Sequence, residues 1–313
     1  MIIDYGENEL SIIVHIERKM FMDKFFHYTS VKSLFSIISN QELWFSNLKN
    51  SNDPNEMYLT CEDYNQYINN MNVNPYHGTP IILDKNRLMG CPYGVSFTTL
   101  EDDLSQWERY GDNRSGVCIV FDVEFIQRYL EENYQFNFYF EPMKYTEKEK
   151  ITLISENISK MPDYKNYKWE THWPFCALYY LIHYSEARAL FKDEGFAKEK
   201  EFRLYFDPIE YKFYHDTLCL VQGSNVESIK KSYQYTEDII HFLVQDKKYA
   251  LMRNGINSYF KLDLNLFGKD KVNLIKEIIL GPNCNQDEEE LKGFLSKHGY
   301  NPEIRKSKIK IRQ

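Results

Sequence analysis

Short apolar segments with two different periods alternate along the chain and predict alternating strands and helices. Lys24 to Thr29 predicts a strand, and Ser30 then caps a helix with apolar residues at i, i+3, i+4 and i+7. The continuous apolar run from Val117 to Phe121 predicts a central strand covered on both faces. From these patterns we expect five side chains to be nearly fully buried, namely Phe35, Ile119, Val120, Phe202 and Leu204.

The remaining patterns predict one α+β domain that covers residues 1–313. Residues 123–195 are predicted to be a mostly helical insertion, and two further helices start at Asp53 and Asp287, which serve as N-caps. Because the order of elements is mixed rather than a βαβ repeat, we predict a mixed or antiparallel central sheet with flanking helices. The other predicted strands are residues 42–47, 94–99, 136–140, 201–206, 211–221, 258–264 and 275–280, with a basic edge strand at 306–312.

Charge and composition narrow the classes of function. The 313 residues include 38 Lys+Arg and 46 Asp+Glu, a net charge of −8. This balance disfavours non-specific binding to duplex nucleic acid, because that mode needs a basic surface. A local patch of basic residues between Arg305 and Arg312 keeps a nucleic-acid-processing role open. The 25 Tyr, 21 Phe and 4 Trp favour sheet-rich structure with aromatic pockets.

Targeting and metal-binding signals are missing from the sequence. Asp4 and Glu7 lie where a secretory peptide needs a basic head, and no stretch approaches the roughly 20 apolar residues of a membrane span. The six cysteines form no CxxC pair. We therefore expect a cytoplasmic protein with reduced thiols, no membrane partner and no metal. The glycine-rich fingerprints of dinucleotide-binding and P-loop folds and the GxSxG of hydrolases are also absent.

Three segments place polar residues inside strands that are otherwise apolar. Taken alone, each also fits a structural role: a core histidine, a Thr-rich strand beside an aromatic helix, or a charged edge strand. A helix after the second segment carries Trp107 and Tyr110 at spacing i, i+3. Strand alternation predicts which residues share a face: His27 and Thr29 in the first segment, Ser96 and Thr98 in the second, and Glu199, Glu201, Arg203 and Tyr205 in the third.

Together these segments resemble the bacterial family of domain of unknown function 2971 (DUF2971). The resemblance runs from about residue 24 to the end of the chain and consists of short blocks in the family's order. The resemblance implies no function by itself. It does imply that the acidic residues near Asp53 line the same cleft as the three polar segments. The blocks are His27–Ser30, Leu43–Asn47, Asn52–Glu56, Ser96–Thr99, Trp107–Asp122, Gly195–Leu204 and Ile278–Pro282, followed by the basic terminal strand.

The order of the three segments is also similar to the three-part signature of ADP-ribosyltransferases. In the His-Tyr-Glu branch of that fold, a first-motif His bonds the adenosine ribose of NAD and a late Glu bonds the nicotinamide ribose. The resemblance therefore implies that His27 binds the ribose, that the backbone of Tyr28 meets the carboxamide, and that Glu201 is catalytic. It places Glu199 at the auxiliary position of the Glu-x-Glu form.

The same resemblance assigns the remaining candidate residues to NAD binding. Ser96 and Thr98 fall on the second-motif strand, and Tyr110 with Trp107 supply the rings that hold nicotinamide. The residues assigned to NAD binding also include Thr29, the last residue of the His-Tyr-Thr strand, and Arg203, which shares a strand face with Glu201.

The chemistry that this resemblance implies is cleavage of the nicotinamide–ribose bond of NAD. The leaving group is already cationic and departs through an oxocarbenium-like transition state, which a carboxylate stabilises without a metal. We therefore expect NAD as substrate and either an ADP-ribosyltransferase with a macromolecular acceptor or an NAD glycohydrolase. The bacterial family makes a toxin or antiphage effector the expected role. The alternatives are a non-catalytic nucleotide- or protein-binding module and a nucleic-acid-processing effector.

Overall fold

Ten strands form one mixed sheet in the computed structural model, which describes residues 24–53, 56–58, 92–133, 138–159, 187–207, 247–252 and 255–310. Most strand bounds lie within one or two residues of those predicted. The strands are β1 (Phe25–Thr29), β2 (Glu42–Asn47), β3 (Tyr93–Thr98), β4 (Val117–Phe121), β5 (Tyr139–Pro142), β6 (Glu201–Phe206), β7 (Lys248–Met252), β8 (Gly255–Asp263), β9 (Ile275–Leu280) and β10 (Glu303–Lys306).

Helices flank the sheet, and those after Ser30 and Asp287 begin at the predicted caps. The first element described after the predicted cap Asp53 is instead a 3₁₀ turn that begins at Glu56. The side chain of Ser30 accepts from the Ser33 amide, and that of Asp287 accepts from the Glu290 amide. The helices are α1 (Val31–Asn40), α2 (Leu104–Arg109), α3 (Val123–Asn133), α4 (Glu147–Ser159) and α5 (Glu288–Lys297). Short 3₁₀ turns are Leu48–Asn50, Glu56–Tyr58, Glu194–Glu199 and Leu264–Asn273.

The sheet branches at β3. The strand order is β10-β9-β4-β1-β3-β2-β8-β7, and β6 pairs with both β3 and β5. Along one edge β3 pairs with β6 over its whole length. Along its other edge β3 pairs with two strands, with β2 at Gly94 and with β1 at Thr98. All pairings are antiparallel except that of β9 with β10, which confirms the α+β class with a mixed, mostly antiparallel sheet.

The main hydrophobic core lies on one face of the sheet, under α1, α3 and α5. Ile119, Val120 and Leu204 are fully buried, as predicted. The prediction for Phe35 is wrong: its side chain is 56% exposed and stacks on Phe294 of α5, with ring centroids 5.2 Å apart. Leu34 and Ile38 form the buried stripe of α1, so Phe35 lies on its flank. Phe202 is only partly buried.

Truncating a core residue should cost far more stability than truncating the exposed Phe35. Ile119→Ala is expected to lower the free energy of unfolding by about 2–5 kcal/mol, because a fully buried side chain leaves a cavity. Phe35→Ala loses one exposed stacking contact and is expected to cost about 1 kcal/mol or less. Urea unfolding of both variants measures the difference. Equal losses would contradict the assignment of β4 as a central strand.

The basic terminal strand is predicted at the wrong place: β10 covers Glu303–Lys306, so only Lys306 falls within the predicted range 306–312. The Ser307 amide still donates to the Leu280 carbonyl at 2.8 Å, but the Lys308 amide donates to the Asp102 carboxylate at 2.7 Å instead of to a strand. Arg312 lies outside the described residues.

Several predictions concern parts of the chain outside the described residues. The strand at 211–221 and most of the helix expected to follow Asp53 are among them. Of the insertion at 123–195, the described part contains α3, β5, α4 and the first residues of the Glu194–Glu199 turn. Within the described residues no helix is long and apolar enough to cross a membrane. The described cysteines, Cys118 and Cys284, are free thiols.

Candidate active site

The pairing of β3 with β6 brings the second and third polar segments onto one face of the sheet. Ser96 lies opposite Arg203 and Thr98 lies opposite Glu201. Residues that face each other across a ladder project to the same side, so these four side chains share a face. The alternate residues of β6, including Leu204, enter the main core on the other side. The alternation predicted for β6 is therefore confirmed.

Five charged side chains meet on this face and form what we call the charge cluster: Glu56, Lys192, Glu199, Glu201 and Arg203. Each is at most 6% exposed. The Lys192 ammonium donates to Glu199 Oε2 at 2.8 Å and to Glu201 Oε2 at 2.9 Å. Arg203 donates through Nε to Glu201 Oε1 at 2.7 Å and through Nη1 to Glu56 Oε1. The two buried cations thus bridge three carboxylates.

Additional hydrogen bonds satisfy the charge cluster from the surrounding backbone and side chains. Ser51 Oγ donates to Glu56 Oε2 at 2.9 Å, and Arg203 Nη1 also donates to the Ala189 carbonyl at 2.9 Å. Buried charges are tolerated only when they are paired and hydrogen-bonded in this way. Burial raises the pKa of Glu56, and contact with Arg203 opposes that shift.

Glu201 is ionised and is the member of the charge cluster that contacts the exposed Ser96. Its Oε1 accepts from Ser96 Oγ at 2.6 Å, and Ser96 is exposed. Burial alone would raise the pKa of Glu201, but the charges of Arg203 and Lys192 outweigh it and lower the pKa to about 2. The carboxylate is therefore anionic at neutral pH. Burial would lower the pKa of Lys192, but the carboxylates of Glu201, Glu199 and Glu56 outweigh it and raise that pKa. Lys192 is therefore an ammonium rather than a nucleophile.

Acid is expected to destabilise the fold as Glu201 becomes protonated. The pKa of Glu201 is lower in the folded protein than its ordinary 4.5, so ionised Glu201 stabilises the fold above that pH, and the contribution is lost as pH falls through about 2. The raised pKa of Glu56 contributes with the opposite sign. Thermal melts across this range should give a shallower acid decline for Glu201→Gln than for wild type. The exposed control Glu288→Gln should keep the wild-type slope, and equal slopes in all three proteins would contradict this account.

Three residues at the surface contact the outer end of the cluster, and we call them the rim: Asn52, Arg109 and Tyr110. All three donate to Glu199 Oε1: the Tyr110 hydroxyl at 2.5 Å, Arg109 Nη1 at 3.1 Å and Asn52 Nδ2 at 3.4 Å. Asn52 Nδ2 also donates to the Tyr110 hydroxyl at 2.6 Å. Burial and the neighbouring Glu199 raise the pKa of Tyr110, so the phenol keeps its proton.

The resemblance assigns His27, Ser96 and Glu201 to one NAD site, and the expectation that His27 lies with the other two is wrong. Thr98 lies opposite both Phe26 and Glu201, so the residue after Phe26 projects to the other face. The His27 ring lies 5.9 Å from the Phe97 ring on the main-core side. Its Nδ1–H donates to the Ser96 carbonyl at 2.9 Å where the sheet branches. Burial lowers the pKa of His27.

Tyr28 and Trp107 are buried beneath the rim and have structural hydrogen bonds. Their rings meet edge to face with centroids 4.8 Å apart. The Tyr28 hydroxyl donates to the Leu100 carbonyl at 2.8 Å and accepts from the Asp103 amide at 3.0 Å. Trp107 is fully buried, and its Nε1 donates to Asp102 Oδ1 at 2.8 Å. These contacts fix α2 and thereby the position of Tyr110.

Thr29 and Thr98, both assigned to NAD binding, lie on opposite faces of the sheet. Thr98 Oγ1 donates to the backbone carbonyl of Glu199 at 2.7 Å and so positions the turn that carries Glu199. Thr29 lies at the end of β1 opposite Val117 and on the same face as His27. The structure therefore brings together Ser96, Thr98 and the third segment, with Tyr110, and leaves His27 and Thr29 on the other face.

Sequence patterns missed three members of the site: Asn52, Arg109 and Lys192. Glu56 is expected only as one of the acids near Asp53 that line the cleft, whereas it is fully buried in a 3₁₀ turn against Arg203. Lys192 has no periodic or motif signal, and its partners Glu199 and Glu201 lie in the following 3₁₀ turn and in β6.

The described residues contain no group of three His, Cys, Asp or Glu side chains that could hold a metal ion. The three glutamates of the charge cluster contact Lys192 and Arg203 and do not converge on one point.

Comparison with known families gives one match. Residues 106–204 match the family described as protein of unknown function (DUF2971). The match includes the Trp107–Asp122 and Gly195–Leu204 blocks, and its range covers six residues of the site: Arg109, Tyr110, Lys192, Glu199, Glu201 and Arg203. It confirms the resemblance over this part of the chain. No curated protein and no solved structure matches the chain.

Proposed function

We propose that the protein cleaves the nicotinamide–ribose bond of NAD, either as an ADP-ribosyltransferase or as an NAD glycohydrolase. The observation that carries the proposal is the position of Glu201. It is an ionised, buried carboxylate that accepts a hydrogen bond from the exposed hydroxyl of Ser96. A fixed anion at the border of solvent and a low-dielectric interior is suited to stabilise developing positive charge.

In this proposal Lys192 and Arg203 orient Glu201 and keep it ionised. An ionised carboxylate offers about four acceptor positions, and the described residues supply three donors to Glu201: Ser96, Lys192 and Arg203. A ribose hydroxyl of the substrate would take the remaining position or replace Ser96. Because the carboxylate is held before the substrate arrives, little reorganisation is needed in the transition state.

Glu199 and Tyr110 have the auxiliary roles. Glu199 would orient the water or acceptor group that attacks the ribose, since its Oε1 lies at the rim. The half-buried Tyr110 ring supplies the aromatic wall for nicotinamide that the resemblance assigns to it. His27 has no contact with NAD in this arrangement, and its bond to the Ser96 carbonyl makes it a support of β3.

The second candidate is a non-catalytic module that binds a nucleotide or a protein through the same face. The observation that favours it is the pairing within the charge cluster, where Lys192 contacts both Glu199 and Glu201. A network of paired buried charges also serves as a structural element, because it specifies one arrangement of the strands.

Incubation with NAD decides between these functions. NAD labelled separately in nicotinamide and in the adenylate half is mixed with pure protein, with and without bacterial lysate. Free nicotinamide with free ADP-ribose identifies a glycohydrolase, and adenylate label in macromolecules identifies a transferase. Binding without release favours the module. Absence of both binding and release removes NAD from the proposal. Depletion of NAD by either activity would fit a toxin or antiphage effector.

A further inference from the structure

Exposed cationic residues flank Glu199 in the sequence, and another contacts its carboxylate. The 3₁₀ turn Glu194–Glu199 buries Glu199 and exposes Lys198, and Lys200 follows it at the surface. From α2, Arg109 reaches the same carboxylate with a side chain that is 55% exposed. The acids of this turn, Asp193 and Glu194, lie at its other end, where Asp193 caps it. The site is thus acidic inside and basic at its edge.

Glu199 accepts from several donors, of which Arg109 is one. Its Oε2 accepts from the buried Lys192 at 2.8 Å, and its Oε1 accepts from Tyr110 at 2.5 Å. The pair with Arg109 is longer, at 3.1 Å, and is open to solvent on the arginine side. When the Arg109 guanidinium turns to another anion, Glu199 would keep the hydrogen bonds from Lys192 and Tyr110.

We propose that Arg109 binds a phosphate group of the substrate, so that the rim selects phosphate-bearing nucleotides. A guanidinium matches two phosphate oxygens with parallel N–H donors, which a lysine ammonium does not. Lys198 and Lys200 add positive potential to the same edge. When Arg109 turns to the phosphate, one donor leaves Glu199 Oε1, which becomes available to the attacking group. The choice of a nucleotide phosphate rests on the proposed function.

The first test is a binding measurement that needs no catalysis. By calorimetry, wild type should bind ADP at least about ten-fold more tightly than adenosine, and Arg109→Gln should lose about 10- to 100-fold of the ADP affinity without change for adenosine. The matched control is Arg128→Gln, because Arg128 is exposed on α3, which packs on the opposite face of the sheet. The control should bind ADP as wild type does. If wild type does not distinguish ADP from adenosine, or if Arg109→Gln binds ADP as wild type does, the inference is overturned.

A second test separates this inference from the proposed function. Arg109→Gln should raise the KM for NAD about ten-fold or more and leave the KM for nicotinamide riboside, which lacks phosphate, within about two-fold. An equal loss for both substrates would overturn the phosphate role while leaving NAD cleavage intact. If wild type cleaves neither substrate but binds ADP through Arg109, the proposed reaction fails and the phosphate site stands.

Discussion

Replacing Arg203 with Met is expected to lower the free energy of unfolding by about 3–5 kcal/mol. Arg203 is 1% exposed and pairs with both Glu56 and Glu201, so its loss leaves Glu56 in the interior without its cation and Glu201 with Lys192 alone. Met retains much of the buried volume, which restricts the effect to charge and hydrogen bonding. The Ala189 carbonyl loses a donor as well. Urea unfolding of wild type and variant gives the difference directly.

The matched control for this prediction is Arg128→Met on the exposed surface of α3, which should change the free energy of unfolding by no more than about 0.5 kcal/mol. A loss below about 1 kcal/mol in Arg203→Met would contradict the charge cluster as described. A triple variant in which Glu56→Gln and Glu201→Gln accompany Arg203→Met should recover part of the loss, because it removes the uncompensated charges.

The second large effect is expected in catalysis. Glu201→Gln preserves shape but removes the charge, and should lower the rate of nicotinamide release per folded molecule by about 10²-fold or more, the scale of losing one preorganised electrostatic group. The substitution also weakens the ion pairs of Lys192 and Arg203, so a lower Tm is expected together with the lower rate. Folded protein must therefore be quantified before rates are compared.

Glu56→Gln is the control that separates catalysis from stability. Glu56 pairs with the same Arg203 and is fully buried, away from the exposed Ser96. Its substitution should lower Tm while leaving turnover per folded molecule within about three-fold of wild type. Equal losses of turnover per folded molecule in the two variants would mean that Glu201 has no catalytic role beyond its part in the charge cluster.

Local patterns predicted a large part of the fold. The period of two in β6 separates Glu201 and Arg203 from Phe202 and Leu204, and burial of the apolar set fixes which face is polar. The apolar run of β4 likewise required a strand covered on both sides, and all five of its residues are buried. These features follow from neighbours in sequence, so no knowledge of strand pairing was needed.

The site depends on pairings that no local pattern contains. Whether His27 joins Glu201 is decided by the register that sets Phe26 opposite Thr98, and a shift of one residue would reverse the result. Glu56 and Arg203 meet across 147 positions of sequence. A buried ion pair and an exposed charged strand have the same sequence pattern, so only the tertiary structure separates them.

The most direct test of NAD cleavage by Glu201 is the rate of nicotinamide release from NAD by wild type, Glu201→Gln and Glu56→Gln at equal concentrations of folded protein. We expect release by wild type, a rate close to it in Glu56→Gln, and a rate lower by about 10²-fold or more in Glu201→Gln. Undiminished release by Glu201→Gln, or no release by wild type, would contradict NAD cleavage by Glu201.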